Sequence, residues 1–461
     1  MGNISVKELG RQRLLRQILC FVLPLIATSV LQLLFNTADT VVVGRFGGDT
    51  PEECEAALAA VGSCGSLINL VVNLFLGLSI GAGVCVARAF GAEDHASVSR
   101  TVHTAIPLAA VLGVLVTLIG FFGASTFLSW MGTDAAAMEQ ATRYMKAYFL
   151  GMPAAMIYNY CAAMLRATGD TVHPLLFLSA GGILNVGLNL FAVIVLRLGA
   201  MGVGLATAAS NWLACILVLI YMLRRGGVCH VEPRKLRITG STLRAMLYIG
   251  IPAGIQSSLF SISNVLIQTA VNSFGSTALV AANTAASNLE GYIYTVQNAF
   301  AQAALTFVGQ SVGARNSARA HRATVLCCAC VTVAGLTLGA LTRLCGDALL
   351  SIFIPENPEA VAIGLLRLSY VVIPYFLCGL MEVGCNALRG LGKSLQPMIV
   401  SLIGACALRI VWIYTLFRWF PSIEMLFLSY PVTWTVTALV QFILYAFYKR
   451  RADRDLAAPA T

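Results

Sequence analysis

Gln32, Asn36 and Asp39 follow one another at spacings of four and three residues, so on a helix they form one polar stripe along an otherwise aliphatic cylinder. A carboxylate flanked by carboxamide oxygens can bind a small cation or hold a proton. Ser257, Ser261, Asn264 and Gln268 draw a second stripe of the same kind later in the chain, and Asn185 and Asn189 share a helix face just after Gly181 and Gly182. Glu290 and Glu382 stand within long apolar stretches, where each can take a proton, pair with a cation, or be neutralised by Arg367 or Arg409. Tyr158 and Tyr294 offer aromatic faces to an organic cation, and Asn159 and Gln256 complete the set of groups expected to line a cavity.

Each signal has a plainer reading. A carboxylate at membrane depth costs several kcal/mol and tends to line a pathway, but Asp39 near the outer end of its helix can also be solvated or cap a neighbour. The serine and amide stripes serve equally well as glue between helices, the two asparagines as packing contacts, and Gly77 and Gly81 as a small-xxx-small pair that lets two helices approach closely.

The elements that carry these residues must be membrane helices. The 461 residues are 58% apolar and only 11% charged, against roughly a quarter charged in soluble domains, and the mean hydropathy is +0.82. Apolar runs of bilayer length, about 20 residues, recur near residues 16–43, 56–82, 99–122, 140–165, 174–196, 200–223, 244–273, 278–309, 322–344, 360–388, 395–417 and 425–448. The fold class expected is therefore an all-α integral membrane protein of about twelve helices. Alternate connections are basic, from Lys7 to Arg16, at Arg88 and Arg100, at Arg166, from Arg224 to Arg244, at Arg315 to Arg322, at Arg389 and Lys393, and from Lys449 to Arg454. The intervening ones carry Asp49, Glu52, Glu53 and Glu55, or Asp134, or Glu356 and Glu359, so both termini are expected in the cytoplasm.

The only long polar interruption away from the termini, Arg224 to Ser241, falls at mid-chain and divides it into lobes of six helices, residues 1–230 and 231–461. The lobes repeat each other. Pro24 and Phe46-Gly47 match Pro252 and Phe274-Gly275, and 252 − 24 and 275 − 47 both give 228. Leu165-Arg166-Ala167-Thr168-Gly169 matches Leu388-Arg389-Gly390-Leu391-Gly392, and Phe90-Gly91-Ala92 matches Val312-Gly313-Ala314. Three matches in the same order argue for duplication. The copies differ in their acids: Asp39 faces Ile267 under the shift, and Glu382 faces Asn159. Parallel six-helix repeats with a cavity between lobes are a transporter architecture.

Other classes fit poorly. There is no P-loop, no GxSxG elbow and no histidine pair at metal-binding spacing, so no enzyme is expected, and transport energy must come from an ion gradient or the substrate's own. The fourteen cysteines, Cys327 and Cys330 included, lie mostly in aliphatic surroundings and read as small hydrophobes. The basic residues punctuate apolar runs, which argues against nucleic acid. After Arg11, Arg13 and Arg16 the first apolar run continues to Val43 without a short core and cleavage site, so that helix is expected to insert and stay.

Asn36-Thr37-Ala38-Asp39-Thr40, Gly44 and Ala57-Leu58-Ala59-Ala60-Val61-Gly62 resemble the opening signature of multidrug and toxic compound extrusion (MATE) transporters. Leu165 to Asp170 and Leu388 to Lys393 resemble that family's paired cytoplasmic motifs, and Asn288-Leu289-Glu290-Gly291 with Met381-Glu382 a branch common in Gram-positive-type bacteria. The resemblance implies a V-shaped, two-lobed bundle in the plasma (inner) membrane that exports amphipathic, often cationic, small molecules in exchange for H⁺ or Na⁺. No cofactor, no metal other than Na⁺ and no oligomer is implied. It places the cation-coupling site at Asp39, Asn36 and Asn185, with Asn189 standing where many members have a second acid. It also makes Pro24 a hinge candidate, matched by Pro252 in the second copy. A flippase for lipid-linked saccharides is the alternative within related two-lobed transporters.

Overall fold

The computed structural model describes residues 11–457 except 49, 132, 134, 226, 355 and 356. Lys7, Asp49, Asp134 and Glu356, which contribute to the charge asymmetry, lie outside the described residues. Helices follow one another in the order α1 (Arg11–Phe46), α2 (Pro51–Gly91), α3 (His95–Trp130), α4 (Ala135–Phe149), α5 (Met152–Ala167), α6 (Val172–Leu190), α7 (Gly199–Arg224), α8 (Gly240–Asn272) and α9 (Thr277–Gly313). They continue with α10 (Ser317–Leu344), α11 (Gly346–Phe353), α12 (Pro358–Arg367), α13 (Phe376–Gly390), α14 (Leu395–Ser401), α15 (Leu408–Tyr414), α16 (Leu416–Trp419) and α17 (Ile423–Ala457). Among the described residues there is no strand, as expected where lipid leaves the backbone only its own carbonyls to bond.

Nine helices among the described residues are long and apolar enough to cross a membrane. They fall on nine of the twelve apolar runs. The other three runs coincide with the α4–α5 pair, which is interrupted around Gly151, and with α8 and α9, which are long but rich in serine and amide side chains.

The described residues pack as two compact units, one within residues 23–90 and 94–254 and the other within residues 11–22, 91–93 and 255–457. The division falls inside α1, between Val22 and Leu23, and inside α8, between Gly254 and Ile255, close to Pro24 and Pro252 respectively. Both prolines lie within continuous helices, each forfeiting one backbone hydrogen bond. In the 23–254 unit, α3 packs on α4 and α5, while α7 packs on α4, α5 and α6. Its core includes Val43, Met145, Phe149 and Tyr160. In the other unit, α13 packs on α9, α10 and α17 around Ile267, Leu368, Phe427 and Trp434.

The duplicated motifs adopt the same local structure twice. Glu93 and Arg315, which follow Gly91-Ala92 and Gly313-Ala314, both take positive φ, at 59° and 53°. The next residue caps the following helix in each copy: Asp94 accepts from the Ser97 N–H at 2.9 Å, and Asn316 from the Arg319 N–H at 2.9 Å. Gly169 and Gly392 turn the paired basic motifs with φ of 97° and 78°, a region glycine enters without steric cost. The Asp170 and Lys393 N–H groups then bond back to the carbonyls of Leu165 and Leu388, each at 3.0 Å.

The mid-chain connection is pinned to α3. The Glu232 N–H donates to His103 Nε2 at 2.9 Å, and His103 Nδ1 lies 2.7 Å from the Ser99 carbonyl. The Arg237 N–H donates to the His103 carbonyl at 3.2 Å, and the Thr239 N–H to Thr104 Oγ1 at 3.3 Å.

Candidate functional site

Gly181 and Gly182 decide how close α6 comes to its neighbours. A Cβ on Gly182 would collide with the Phe35 ring of α1, and one on Gly181 would sit 3.0 Å from the Ser210 carbonyl of α7. With both hydrogens in place, α6 lies between α1 and α7, and the same face carries Asn185 one turn further on and Asn189 two turns on. Asn189 Nδ2 donates a short hydrogen bond to Asp39 Oδ1 and also lies 3.2 Å from Asn185 Oδ1. Asn185 Nδ2 in turn points at Thr207 Oγ1 at 3.4 Å, whose hydroxyl is committed to the Val203 carbonyl at 3.0 Å. The result is a polar chain Asp39, Asn189, Asn185, Thr207 across three helices of one unit.

Burial grades along this chain. Asn185 and Asn189 are buried, Asp39 is half-buried, and Gln32 and Asn36 are exposed. Asn189 Oδ1 is itself buried without a hydrogen-bond partner among the described residues, an acceptor left over on the side chain that holds the carboxylate. A carboxylate and an unpaired carboxamide oxygen carried by two bonded side chains are acceptors suited to a cation or a transferable proton. Immediately after Leu190 the helix loosens into a π-helical turn, Phe191–Val195, a distortion frequent at functional sites. Tyr144 and Tyr148 of α4 lie within electrostatic range of the Asp39 carboxylate. Among the described residues no basic side chain pairs with Asp39. Ile267, its counterpart in the second copy, is buried in an apolar core.

The second unit carries a different arrangement. Glu290 forms a two-pronged ion pair with Arg367, with Nε to Oε1 at 2.8 Å and Nη2 to Oε2 at 2.9 Å, both groups buried. Arg367 also donates a short bond to Asn283 Oδ1, and Asn283 Nδ2 donates to Gln268 Oε1 at 2.7 Å. Gln268 Nε2 then reaches Asn272 Oδ1 at 2.9 Å. Of the two acids on apolar helices, this one is held by a structural partner. Glu382 is buried on α13 and makes no ion pair among the described residues, although Arg389 and Tyr294 lie within electrostatic range. Gln256 Oε1 accepts from Arg389 Nη2 at 2.9 Å, and Gln256 Nε2 faces Cys385 Sγ at 3.4 Å.

The remaining candidates lie elsewhere. Tyr158 is buried with its hydroxyl donating to the Pro174 carbonyl at 2.8 Å, Asn159 bonds the Ala155 carbonyl of its own helix at 2.7 Å, and Asn264 and Tyr294 are exposed. Gly77 and Gly81 pack closely: a Cβ on either would run into the backbone of α8, at Gly254 or Met246. All fourteen cysteines are free thiols. Sequence reading missed Thr207, Tyr144, Tyr148 and Asn283. Only Asn283 left a usable signal, a seven-residue spacing that puts Asn283, Glu290 and Gln297 on one face of α9.

The MatE family profile matches the chain twice, over residues 24–191 and 252–415, and 252 − 24 again gives 228. The probable multidrug resistance protein YoeA of Bacillus subtilis is 25% identical over 94% of this chain and 93% of its own length. The probable multidrug resistance protein NorM of Thermotoga maritima is 24% identical over 88% of this chain and 86% of its own. An outward-facing structure of a multidrug resistance MATE family transporter superposes with a TM-score of 0.88 at 20% identity, covering 98% of this chain and 100% of that one. With the twice-matched profile spanning most of an all-helical chain built for a bilayer, the protein belongs to the MATE family of multi-pass cell-membrane transporters.

Proposed function

We propose that the protein is a secondary active efflux antiporter that exports amphipathic organic compounds, cationic ones among them, in exchange for H⁺ or Na⁺ bound at Asp39. The observation that carries this reading is the contrast between two acids in apolar helices. Glu290 has its charge neutralised by Arg367, whereas Asp39 has only the carboxamide of Asn189, which orients the carboxylate without cancelling it. An acid held that way gains most from a cation that arrives and leaves. If the cation binds one access state better than the other, its gradient drives the substrate by ordinary linkage. Asn185 and Thr207 support Asn189, and Glu382 is the second ionisable group open to a cation or a cationic substrate. Pro24 and Pro252 are the points at which α1 and α8 would bend. The relatives named for multidrug resistance support small amphipathic substrates.

The decisive measurement is substrate efflux from proteoliposomes with the Na⁺ and H⁺ gradients collapsed separately. Wild-type transport is expected to stop with one of the two, and Asp39→Asn to be insensitive to both. Unchanged gradient-driven transport by Asp39→Asn would remove Asp39 from the coupling role.

A further inference from the structure

All the buried charged side chains among the described residues sit in the 255–461 unit, and they do not balance. Arg319, Arg367, Arg389 and Arg409 are buried against Glu290 and Glu382. Arg367 is matched by Glu290. Arg409, on α15, is only 3% exposed, and among the described residues no carboxylate lies within 4 Å of it. Among the described residues its two terminal nitrogens reach only hydroxyls, Ser263 Oγ at 3.4 Å and Thr433 Oγ1 at 3.3 Å, both longer than a normal N–H···O bond, and its Nε has no partner. The Thr433 hydroxyl donates its own proton to the carbonyls of Ser429 and Tyr430 at 2.8 and 3.0 Å, which leaves its oxygen toward Arg409 as an acceptor.

What does touch the Arg409 guanidinium is an aromatic face. It lies 4.5 Å from the centroid of the Tyr430 ring, over which Arg367 also lies at 5.4 Å. A ring quadrupole attracts a cation but does not neutralise it, and a buried charge without a counter-charge is costly to keep. A planar fork with an idle Nε and two loosely held terminal nitrogens is the donor set that a carboxylate or phosphate engages in two parallel hydrogen bonds. The backbone is irregular here too: the π-helical turn Leu402–Ala407 ends one residue before Leu408-Arg409, and another, Leu368–Val372, begins directly after Arg367. Such turns are frequent at functional sites.

We infer that Arg409, with Ser263, Thr433 and the Tyr430 ring, forms an oxyanion subsite that receives the carboxylate or phosphate group of an amphiphile. The inference deepens the transport reading by adding anionic and zwitterionic compounds to its substrates. It rests on that reading only for the ligand's being cargo.

The test uses the full-length protein in lipid nanodiscs, with binding of benzoate, phenyl phosphate and neutral benzamide followed by calorimetry. Benzoate or phenyl phosphate is expected to bind at least about tenfold tighter than benzamide, and Arg409→Gln to abolish that preference. Which of the two anions binds tighter tells a carboxylate cargo from a phosphate headgroup. Arg409→Lys, which keeps the charge but loses the fork, is expected to retain part of the preference and supplies the comparison if Arg409→Gln does not fold. Equal binding of all three probes, or a preference that survives Arg409→Gln, overturns the proposal. Because this readout uses no gradient, a failed Asp39→Asn experiment leaves it standing, and its failure leaves Asp39-dependent exchange untouched.

Discussion

Asn189 donates to Asp39 across 150 residues of sequence, from the last turn of α6 to the last turns of α1. The bond makes a membrane-embedded carboxylate into an oriented one. A hydrogen bond to a charged group is worth about 1.5–3 kcal/mol, enough to alter cation affinity about tenfold or more. Asn189→Leu is therefore expected to slow gradient-driven exchange in proteoliposomes by about that factor, with the protein still folded by thermal melt. An exchange rate equal to wild type would show that the bond does not position the site.

Gly182 sets the distance between α1 and α6 through its contact with the Phe35 ring. Gly182→Val overfills that contact, at a cost of about 1–3 kcal/mol, and displaces α1. It is expected to reproduce the transport defect of Asn189→Leu, whereas a Gly182→Val, Phe35→Ala double variant recovers much of the lost exchange. Failure of the double variant to improve on the single one would count against this packing account.

Glu290 and Arg367 form the buried pair of the second unit. Glu290→Gln leaves a buried guanidinium uncompensated and is expected to lose about 3–5 kcal/mol, read as a lower unfolding midpoint in detergent. Glu290→Gln with Arg367→Met removes both charges and is expected to recover most of it. A single variant as stable as wild type would mean that the pair is not a structural lock.

At the start of α3, hydrogen bonds from the Ser97 hydroxyl and N–H, at 2.5 and 2.9 Å, hold the Asp94 carboxyl below the usual carboxylate range. A carboxyl with a lower value in the folded state stabilises the fold above its unfolded value, about 3.9, and loses that contribution as pH falls through the folded value. Asp94→Ala is thus expected to melt earlier than wild type at pH 7, with the gap narrowing as pH is lowered past 4. A gap independent of pH would point to a cause other than the carboxylate.

His103 holds the mid-chain connection through its Nε2 acceptor and its backbone carbonyl. His103→Leu removes the acceptor and is expected to speed hydrogen exchange at the Glu232 amide, while the Arg237 amide, bonded to the residue 103 carbonyl, stays protected. Equal acceleration at both amides would mean that the whole connection detaches.

Much of the fold was legible in the sequence because it is written in local quantities. Bilayer-length apolar runs mark the spans, and the repeated Gly-containing motifs foretell turns that the chain builds twice, down to the positive φ of Glu93 and Arg315 and the caps at Asp94 and Asn316. Spacing alone placed Asp39 on a polar stripe and Asn185 with Asn189 on one face. Which of these groups meet depends on contacts between helices far apart in sequence, and periodicity carries no information about those. Tertiary packing joined Asp39 to Asn189 and left Gln32 and Asn36 exposed. It also gave Arg367 to Glu290 while leaving Arg409, of the same charge and the same expected use, beside hydroxyls and an aromatic ring. A side chain's type fixes what it can bond. In a close-packed interior, only the approach of helix to helix, set here by glycines such as Gly181 and Gly182, decides what it does bond.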